Sequence, residues 1–346
     1  MNKLLSIIIP TYNMQHYLTR CLDSLVMTDN ALMAQLQVLV INDGSTDCSS
    51  AIAHEYETQY PDTFRVIDKD NGNYGSCVNR GLREATGKYV KLLDADDWFN
   101  TAEFAKYLVA LREIDVDLVL TPFVSHHEPS GEERLSTQPY LVEKDVYDFN
   151  SYPNDKISRY SMHMVSYRTK LLREIGYQQT EGISYTDTEW THIPQYAVKS
   201  FAWIDAPVYQ YSIGREGQTM DANVLARNIW KYEVICHSLI DNARKYTEKT
   251  ACRLAEEFNL QQIEFLSENI YRMILLLVRP SACDIEHLKQ FDLYLKVACP
   301  LVYDKLGYSQ MKRWCPIHYV RLWRSLGVRI PIDNIRDLYR RLKYGR

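Results

Sequence analysis

The sequence predicts an α/β protein: a mostly parallel sheet with helices on both faces, followed by a helical C-terminal region. Three observations carry this. Short continuous apolar runs alternate with segments of helical period through the first 125 residues, the signature of strand–helix–strand units. Each of the first four runs opens into a polar turn of Asn, Asp, Gly, Ser or Thr. From about residue 221 the strand signal stops, and long amphipathic segments replace it.

The elements follow in order. Leu4 to Ile9 is an unbroken apolar run, as in a strand covered on both faces. Pro10-Thr11-Tyr12-Asn13 breaks it. Tyr17, Leu18, Cys21, Leu22 and Leu25 then recur at helical spacing. Val38 to Ile41 is a second strand, ending in Asn42-Asp43-Gly44-Ser45-Thr46-Asp47, and a helix through Ala51, Ile52 and Tyr56 follows. Phe64 to Ile67 is a third strand. Asn71-Gly72-Asn73-Tyr74-Gly75 turns into a helix with Val78, Leu82 and Ala85. A fourth strand from Tyr89 runs out into Asp94-Ala95-Asp96-Asp97-Trp98. A helix over Thr101 to Ile114 and a strand near Asp117 to Val124 complete the series. Residues 126–158 read as irregular, Met162 to Tyr167 as a strand, Thr169 to Ile175 as a helix and Val208 to Ile213 as a strand. Helical segments are expected at about 223–246, 249–278 and 285–298. The resulting division is residues 1–125, 126–220 and 221–346. The last part could serve packing, dimerisation or partner contact.

The composition excludes several classes. The chain has 346 residues, 46% apolar and 24% charged, as ordinary globular proteins do. No segment approaches the ~20 apolar residues of a membrane span. Leu4 to Ile9 is too short for a signal-peptide core and ends without a small-residue cleavage site, so a cytosolic protein is expected. The eight cysteines include no Cys-x-x-Cys pair, which disfavours a zinc site or disulfide framework. The net charge of −4 hides an asymmetry. Residues 1–210 carry 18 Lys+Arg against 29 Asp+Glu; residues 211–346 carry 22 against 15. The basic residues gather at 336–346, a segment that could meet the inner face of an anionic membrane or simply suit a helix end. No nucleic-acid partner is expected.

In a parallel sheet, ligands bind beyond the carboxyl ends of the strands. All four polar turns lie there. Asp94 and Asp96, two apart on an extended chain, are expected to face one side. Adjacent carboxylates repel unless a cation lies between them, and Mg²⁺ or Mn²⁺ takes oxygen ligands together with substrate phosphates. An acidic turn capping the next helix would explain the same residues. Asp97, turned away by alternation, is assigned to that capping. There is no Gly-x-Gly-x-x-Gly after the first strand and no Gly-x-x-x-x-Gly-Lys-[Ser/Thr], so a dinucleotide fold and a P-loop are disfavoured. A nucleotide held through a metal remains. Asp43 could accept bonds from base or ribose, and Gly44 permits close backbone approach. The same turn could merely cap a helix.

Ile7-Ile8-Ile9-Pro10-Thr11-Tyr12-Asn13, Val40-Ile41-Asn42-Asp43-Gly44-Ser45-Thr46-Asp47 and Gly87-Lys88-Tyr89-Val90 into Leu93-Asp94-Ala95-Asp96-Asp97-Trp98 together resemble the family 2 glycosyltransferases, inverting enzymes of the GT-A fold. The resemblance covers residues 1–100 well and 160–220 less fully. It implies a nucleotide-diphosphate sugar donor, usually UDP-linked, and a Mn²⁺ or Mg²⁺ ion. It places donor-binding positions at Pro10, Tyr12, Asn13, Asp43, Ser45, Asn71 and Arg80. Asp94 and Ala95 fall beside the donor in the Asp-x-Asp motif, and Asp96 falls at the metal. The stretch Asn73 to Asn79 departs from the family's commoner small-residue run.

The resemblance also implies a catalytic aspartate in a Glu-Asp pair. Here Thr186 replaces the Glu and Asp187 keeps the aspartate position, with Glu189 as a competitor. Arg215 and Gln218, in a Gly-punctuated loop, could contact the diphosphate or a substrate. His163 reads as a core histidine that could line the sugar pocket, and His126-His127 as a solvated loop. The expected activity is inverting transfer from a UDP-sugar to a saccharide or lipid-linked acceptor in surface polysaccharide synthesis. Alternatives are an inactive nucleotide-sugar-binding subunit and a sugar-phosphate nucleotidyltransferase. The latter would need a basic Gly-rich loop where Pro10-Thr11-Tyr12-Asn13 stands.

Overall fold

A computed structural model describes residues 3–214, 222–247, 252–312 and 315–329. The chain forms two compact units: Met1–Gln218 with Thr250–Ala255, and Thr219–Lys249 with Glu256–Arg346.

The first unit begins with β1 (Leu5–Thr11), α1 (Leu18–Asp23), α2 (Asn30–Met33), β2 (Leu36–Asn42), α3 (Ser49–Gln59), β3 (Phe64–Asp68), α4 (Asn73–Glu84), β4 (Tyr89–Leu92), β5 (Trp98–Phe99) and α5 (Thr101–Arg112). It continues with β6 (Leu118–Leu120), β7 (Phe123–His127), β8 (Glu132–Ser136), β9 (Val146–Asp148), β10 (Val165–Arg168), α6 (Thr169–Glu174), α7 (Asp187–His192), β11 (Ser200–Trp203) and β12 (Tyr209–Ile213). Eight strands form one sheet in the order β3-β2-β1-β4-β10-β6-β11-β9. β3, β2, β1 and β4 are mutually parallel, and β10 is antiparallel to both its neighbours. The remaining four strands form a smaller sheet, β5-β12-β7-β8. The expected mostly parallel α/β sheet is therefore present.

Both faces of β1 are covered, as its unbroken apolar run requires. Ile7 and Ile9 join a core with Leu18, Cys21 and Leu22 of α1, Ala53 of α3 and Phe104 of α5. Ile8 points the other way and meets Gly81 of α4, where an added Cβ would lie 2.5 Å from its Cγ2. A glycine there lets helix and strand approach.

Several expectations need correction. The strand expected over 117–124 is two strands in two sheets, divided at Thr121-Pro122, where proline can give no ladder N–H. Residues 126–158 are not wholly irregular: β8 and β9 lie there, largely exposed and without a clear apolar alternation. Met162–Met164 is a 3₁₀ turn before β10. β11 went unpredicted. The cap of α5 is Asn100, whose side chain accepts from the N–H groups of Ala102 and Glu103, both at 3.1 Å, so Asp97 is not needed there.

The second unit contains α8 (Ala222–Asn228), α9 (Lys231–Thr247), all but the first three residues of α10 (Arg253–Arg272) with a following π-helical turn (Met273–Leu277), α11 (Ala282–Ala298) and α12 (Pro300–Leu306). A hairpin of β13 (Gln310–Lys312) and β14 (Cys315–His318) precedes α13 (Tyr319–Leu326), so strands do not vanish entirely beyond 221. The basic segment 336–346 lies outside the described residues. Among the described residues, no helix is long and apolar enough to cross a membrane.

Gly87 precedes β4 against the start of β1. A Cβ there would fall 2.4 Å from the Ser6 nitrogen and 2.7 Å from the Leu5 carbonyl carbon, both backbone atoms. Gly87→Ala should therefore cost about 2–3 kcal/mol through overpacking, measured as a lower denaturant midpoint with unchanged slope.

Candidate active site

The rim of the sheet is assembled from the turns after β1, β2, β3 and β4. Asn13 adopts a left-handed backbone (φ 54°). Its N–H donates to Ser45 Oγ at 3.0 Å and its Oδ1 accepts from the Thr46 N–H at 2.8 Å. Asn13 and Ser45 thus tie the first two turns together. Tyr12 is exposed, and Pro10 sits half-buried opposite Ile41. Gly44, at φ 73°, makes the turn that a side chain would strain.

Asp43 is buried and fully engaged. Its Oδ1 accepts from Lys69 Nζ at 2.5 Å and the Gly72 N–H at 3.0 Å; its Oδ2 accepts from the Asn73 N–H at 2.9 Å. Those amides begin α4, so the carboxylate meets the positive end of a twelve-residue helix. Asn71 Nδ2 donates to the Asp43 carbonyl at 2.9 Å. Asp43 and Asn71 therefore build the rim as well as lying on it. Arg80 is not brought to it. Its guanidinium pairs with Glu84 at 3.1 Å, and Glu84 pairs with Arg65 near the start of β3, toward the opposite edge of the sheet.

β4 ends at Leu92, so alternation does not govern Asp94 to Asp97. These residues turn instead, the Asp97 N–H donating to the Asp94 carbonyl at 3.0 Å. Asp97 does not drop out, as the alternation argument required. It is buried, its Oδ2 accepting from Tyr209 Oη at 2.7 Å and its Oδ1 from the Ser212 N–H at 2.8 Å. The pairing of β12 with β5 brings these donors to it. Asp94 Oδ1 accepts from Tyr74 Oη at 2.8 Å, and the Asp94 N–H donates to Tyr209 Oη at 3.1 Å. Burial, then the charge of Asp96, pushes the Asp94 carboxyl up to about 7. Burial with Asp94 and Asp96 raises Asp97 as well. Ala95 is buried in the core between them. Arg20 donates to the Asp96 carbonyl at 2.9 Å and lies 3.9 Å over the Trp98 ring.

Oxygens of Asp94 and Asp97 and a ring nitrogen of His163 all lie within 4.8 Å of one another, the ligand cluster found among the described residues. Two carboxylates and an imidazole of this kind can take a divalent ion; Asp96, where the metal is expected, is not among the three. His163 is mostly buried, stacked on Tyr211 at 4.1 Å and bonded to Ser161 Oγ at 2.9 Å. Burial, then Lys91, lowers its pKa to about 3, leaving a neutral imidazole. Lys91 is buried in β4 and donates to the His163 carbonyl at 2.9 Å; burial lowers its pKa to about 7.

Asp187 opens α7, half-buried, its carboxyl raised chiefly by burial. Its charge acts on Asp94, Tyr74 and Tyr211, which also feel Asp94 or its neighbours. Asp94, Asp96, Asp97 and Asp187 thus act on common side chains. Glu189 faces elsewhere, accepting from the Thr180 N–H and Oγ1, both at 2.7 Å. The segment before α7 is clamped to α4: Asn79 Oδ1 accepts from the Gln179 N–H at 2.8 Å, its Nδ2 donates to the Gln179 carbonyl at 2.9 Å, and the Gly182 N–H donates to the Gly72 carbonyl at 2.9 Å. Arg215 and Gln218 lie outside the described residues. Sequence reasoning missed Tyr209, Tyr211 and Lys91. A lysine inside an otherwise apolar strand was the available signal for Lys91; nothing local marked the tyrosines.

Residues 6–176 match the family model described as Glycosyl transferase family 2. The Bacillus subtilis protein EpsH is 24% identical over 213 residues, 60% of this chain and 60% of EpsH. The Bacillus subtilis minor teichoic acid biosynthesis protein GgaB is 25% identical over 252 residues, 70% of this chain and 27% of GgaB. The chain thus spans less than two thirds of either relative. Among solved structures, residues 1–349 of Staphylococcus aureus TarS, in complex with UDP-GlcNAc, share the fold with a TM-score of 0.65 and 19% identity, over 86% of this chain and 82% of that one. The sheet and its helices are thus of GT-A type.

Asp97→Ala would leave the Tyr209 hydroxyl and the Ser212 N–H buried without their acceptor. Stability should fall by about 2–4 kcal/mol, read from chemical denaturation.

Proposed function

We propose that this chain, which belongs to glycosyltransferase family 2, moves a sugar from a UDP-sugar to a saccharide or lipid-linked acceptor, with inversion, in surface polysaccharide or teichoic-acid-type synthesis. The observation that carries the reading is the group of carboxylates: Asp94 and Asp96 on the turn after β4, with the charge of Asp187 reaching Asp94 and also Tyr211, which feels Asp94, Asp96 and Asp97 as well. UDP is favoured because the TarS structure of like fold holds UDP-GlcNAc. The polymer class is suggested by the name of GgaB. In this reading residues 1–125 form the donor half, 126–220 the acceptor half, and 221–346 a helical appendage. Pro10, Tyr12, Asn13, Asp43, Ser45 and Asn71 shape the nucleotide side.

Asp187 takes the proton of the acceptor hydroxyl as general base. The acceptor oxygen forms a bond to the anomeric carbon from the face opposite the diphosphate. The bond from that carbon to the phosphate oxygen breaks, and UDP leaves with the electron pair. Charge on the ring is oxocarbenium-like, as in glycoside cleavage. Asp94 and Asp96 would hold Mn²⁺ or Mg²⁺, and such an ion would neutralise charge on the diphosphate. The raised pKa of Asp187 makes it a better proton acceptor when ionised, since burial disfavours its carboxylate. Tyr74 and Tyr209 orient Asp94.

A panel of UDP-sugars with Mn²⁺, reading released UDP, tests activity and donor together. EDTA should abolish turnover, and an excess of Mn²⁺ should restore it. Release of UDP unaffected by EDTA would remove the metal from the reading. Because Asp94 is pushed up to about 7, cation binding must displace a proton below that pH. Mn²⁺ affinity, measured calorimetrically, should therefore fall by up to about tenfold per unit below pH 7 and level off above it.

Asp187→Asn should bind UDP as wild type while kcat falls by about 10²–10⁴-fold. The wild-type rate should rise with pH through the elevated pKa of Asp187, because only its ionised form accepts a proton. Turnover persisting in the variant would pass the role to another group.

A further inference from the structure

We propose that Tyr74 is a specificity-determining residue of the donor compartment, its phenolic oxygen accepting a hydrogen bond from a hydroxyl of the transferred sugar. The inference rests on the sugar-nucleotide reading above and deepens it.

Tyr74 stands in the first turn of α4, directly after the amides that Asp43 holds. Its main-chain position is therefore fixed to the nucleotide side of the rim. Asn79 and Gly72 bond the helix to the segment before α7, and Gly75 lets the two pack closely: an added Cβ would fall 2.1 Å from the Thr180 carbonyl oxygen. From this anchored position the ring crosses to the carboxylates. Its Oη donates to Asp94 Oδ1 at 2.8 Å and lies 3.7 Å from Met162 Sδ. The phenol thus spans three parts of the compartment: the third rim turn, the Asp94 turn and the 3₁₀ turn beside His163. The residue remains half-buried, not sealed in the core.

The chemistry follows from the proton count. A phenol has one hydrogen and two acceptor sites. With Asp94 ionised, as cation binding requires, the hydrogen is committed to it. Toward anything entering the compartment, the oxygen can only accept. A sugar hydroxyl supplies the matching donor; a phosphate oxygen, which also only accepts, does not. Tyr74 should therefore meet a hydroxyl and not the diphosphate, and comparing UDP with the intact donor separates a hydroxyl of the transferred sugar from those of the ribose. A purely positioning role would differ. If Tyr74 acts only by orienting Asp94, its loss should weaken the metal-bound diphosphate and the intact donor together.

The experiment compares wild type and Tyr74→Phe by calorimetry with Mn²⁺, using UDP and the UDP-sugar that wild type turns over. The expected result is a donor affinity about tenfold weaker in the variant, with UDP affinity within about twofold, the worth of one lost hydrogen bond. Monodeoxy analogues of that UDP-sugar add a second readout. For one sugar position, wild type should lose about tenfold and the variant nothing further, a non-additive cycle. Equal weakening of UDP and UDP-sugar overturns the sugar contact, as does no change in either or additivity at every sugar position. Wild type that binds neither UDP nor any UDP-sugar overturns the functional reading itself, and this inference with it.

Discussion

The site depends on the first turns of α4. A buried carboxylate is costly unless its charge is met by donors and a counter-charge. Asp43 has two backbone amides at the start of that helix and the Lys69 ammonium. This places the helix start against the turn after β2. The same helix then fixes two further things. Tyr74 reaches the Asp94 carboxylate, and Asn79 with Gly72 grips the segment that leads to Asp187. One helix therefore sets the spacing between the nucleotide rim, the carboxylate turn and the candidate base. Side chains more than a hundred residues apart in sequence keep their relation through it.

That arrangement explains why a helix in this position carries glycines at 72, 75 and 81. Gly81 admits Ile8 of the central strand, and Gly75 admits the Thr180 carbonyl. Glycine weakens a helix by about 1 kcal/mol relative to alanine. Here the loss is offset by close packing on both sides, sheet and base segment. The helix is held more by what it touches than by its own propensity.

Much of this was legible in the chain. The four parallel strands were, because a strand buried on both faces leaves an unbroken apolar run, and Ile7, Ile8 and Ile9 require exactly such cover. The polar turns were, because they follow from the strand ends. Arg80 shows a reading that helical geometry alone would have corrected: seven residues after Asn73, it lies about 10 Å along the helix from the rim. Asp97 shows a different limit. Alternation was applied past the end of β4, into a turn. Its partners, Tyr209 and Ser212, come from a strand in another sheet and carry no local mark. β8 and β9 escaped because exposed edge strands need no apolar alternation.

The remaining step concerns charge. Three aspartates crowd the turn after β4, and two nearby cations are directed to carbonyls. Arg20 gives its guanidinium to the Asp96 carbonyl and the Trp98 face. Lys91, though close in sequence, turns its ammonium to the carbonyls of His163 and Val165. His163, lowered to about 3, stays neutral. Asp97 is met by Tyr209 and Ser212, which satisfy its oxygens without neutralising them. Asp94 answers the crowding by holding its proton up to about 7. Asp94 and Asp97 thus sit in a buried, like-charged setting that a proton on Asp94 partly relieves. Such crowding is costly for a scaffold; the proposed reading asks the site to accept a cation and a proton in turn. In the proposed reaction the two demands fall on different residues: the cation on Asp94 and Asp96, the proton on Asp187. Both are tied to α4, the Asp94 carboxylate through Tyr74 and the segment before Asp187 through Asn79 and Gly72.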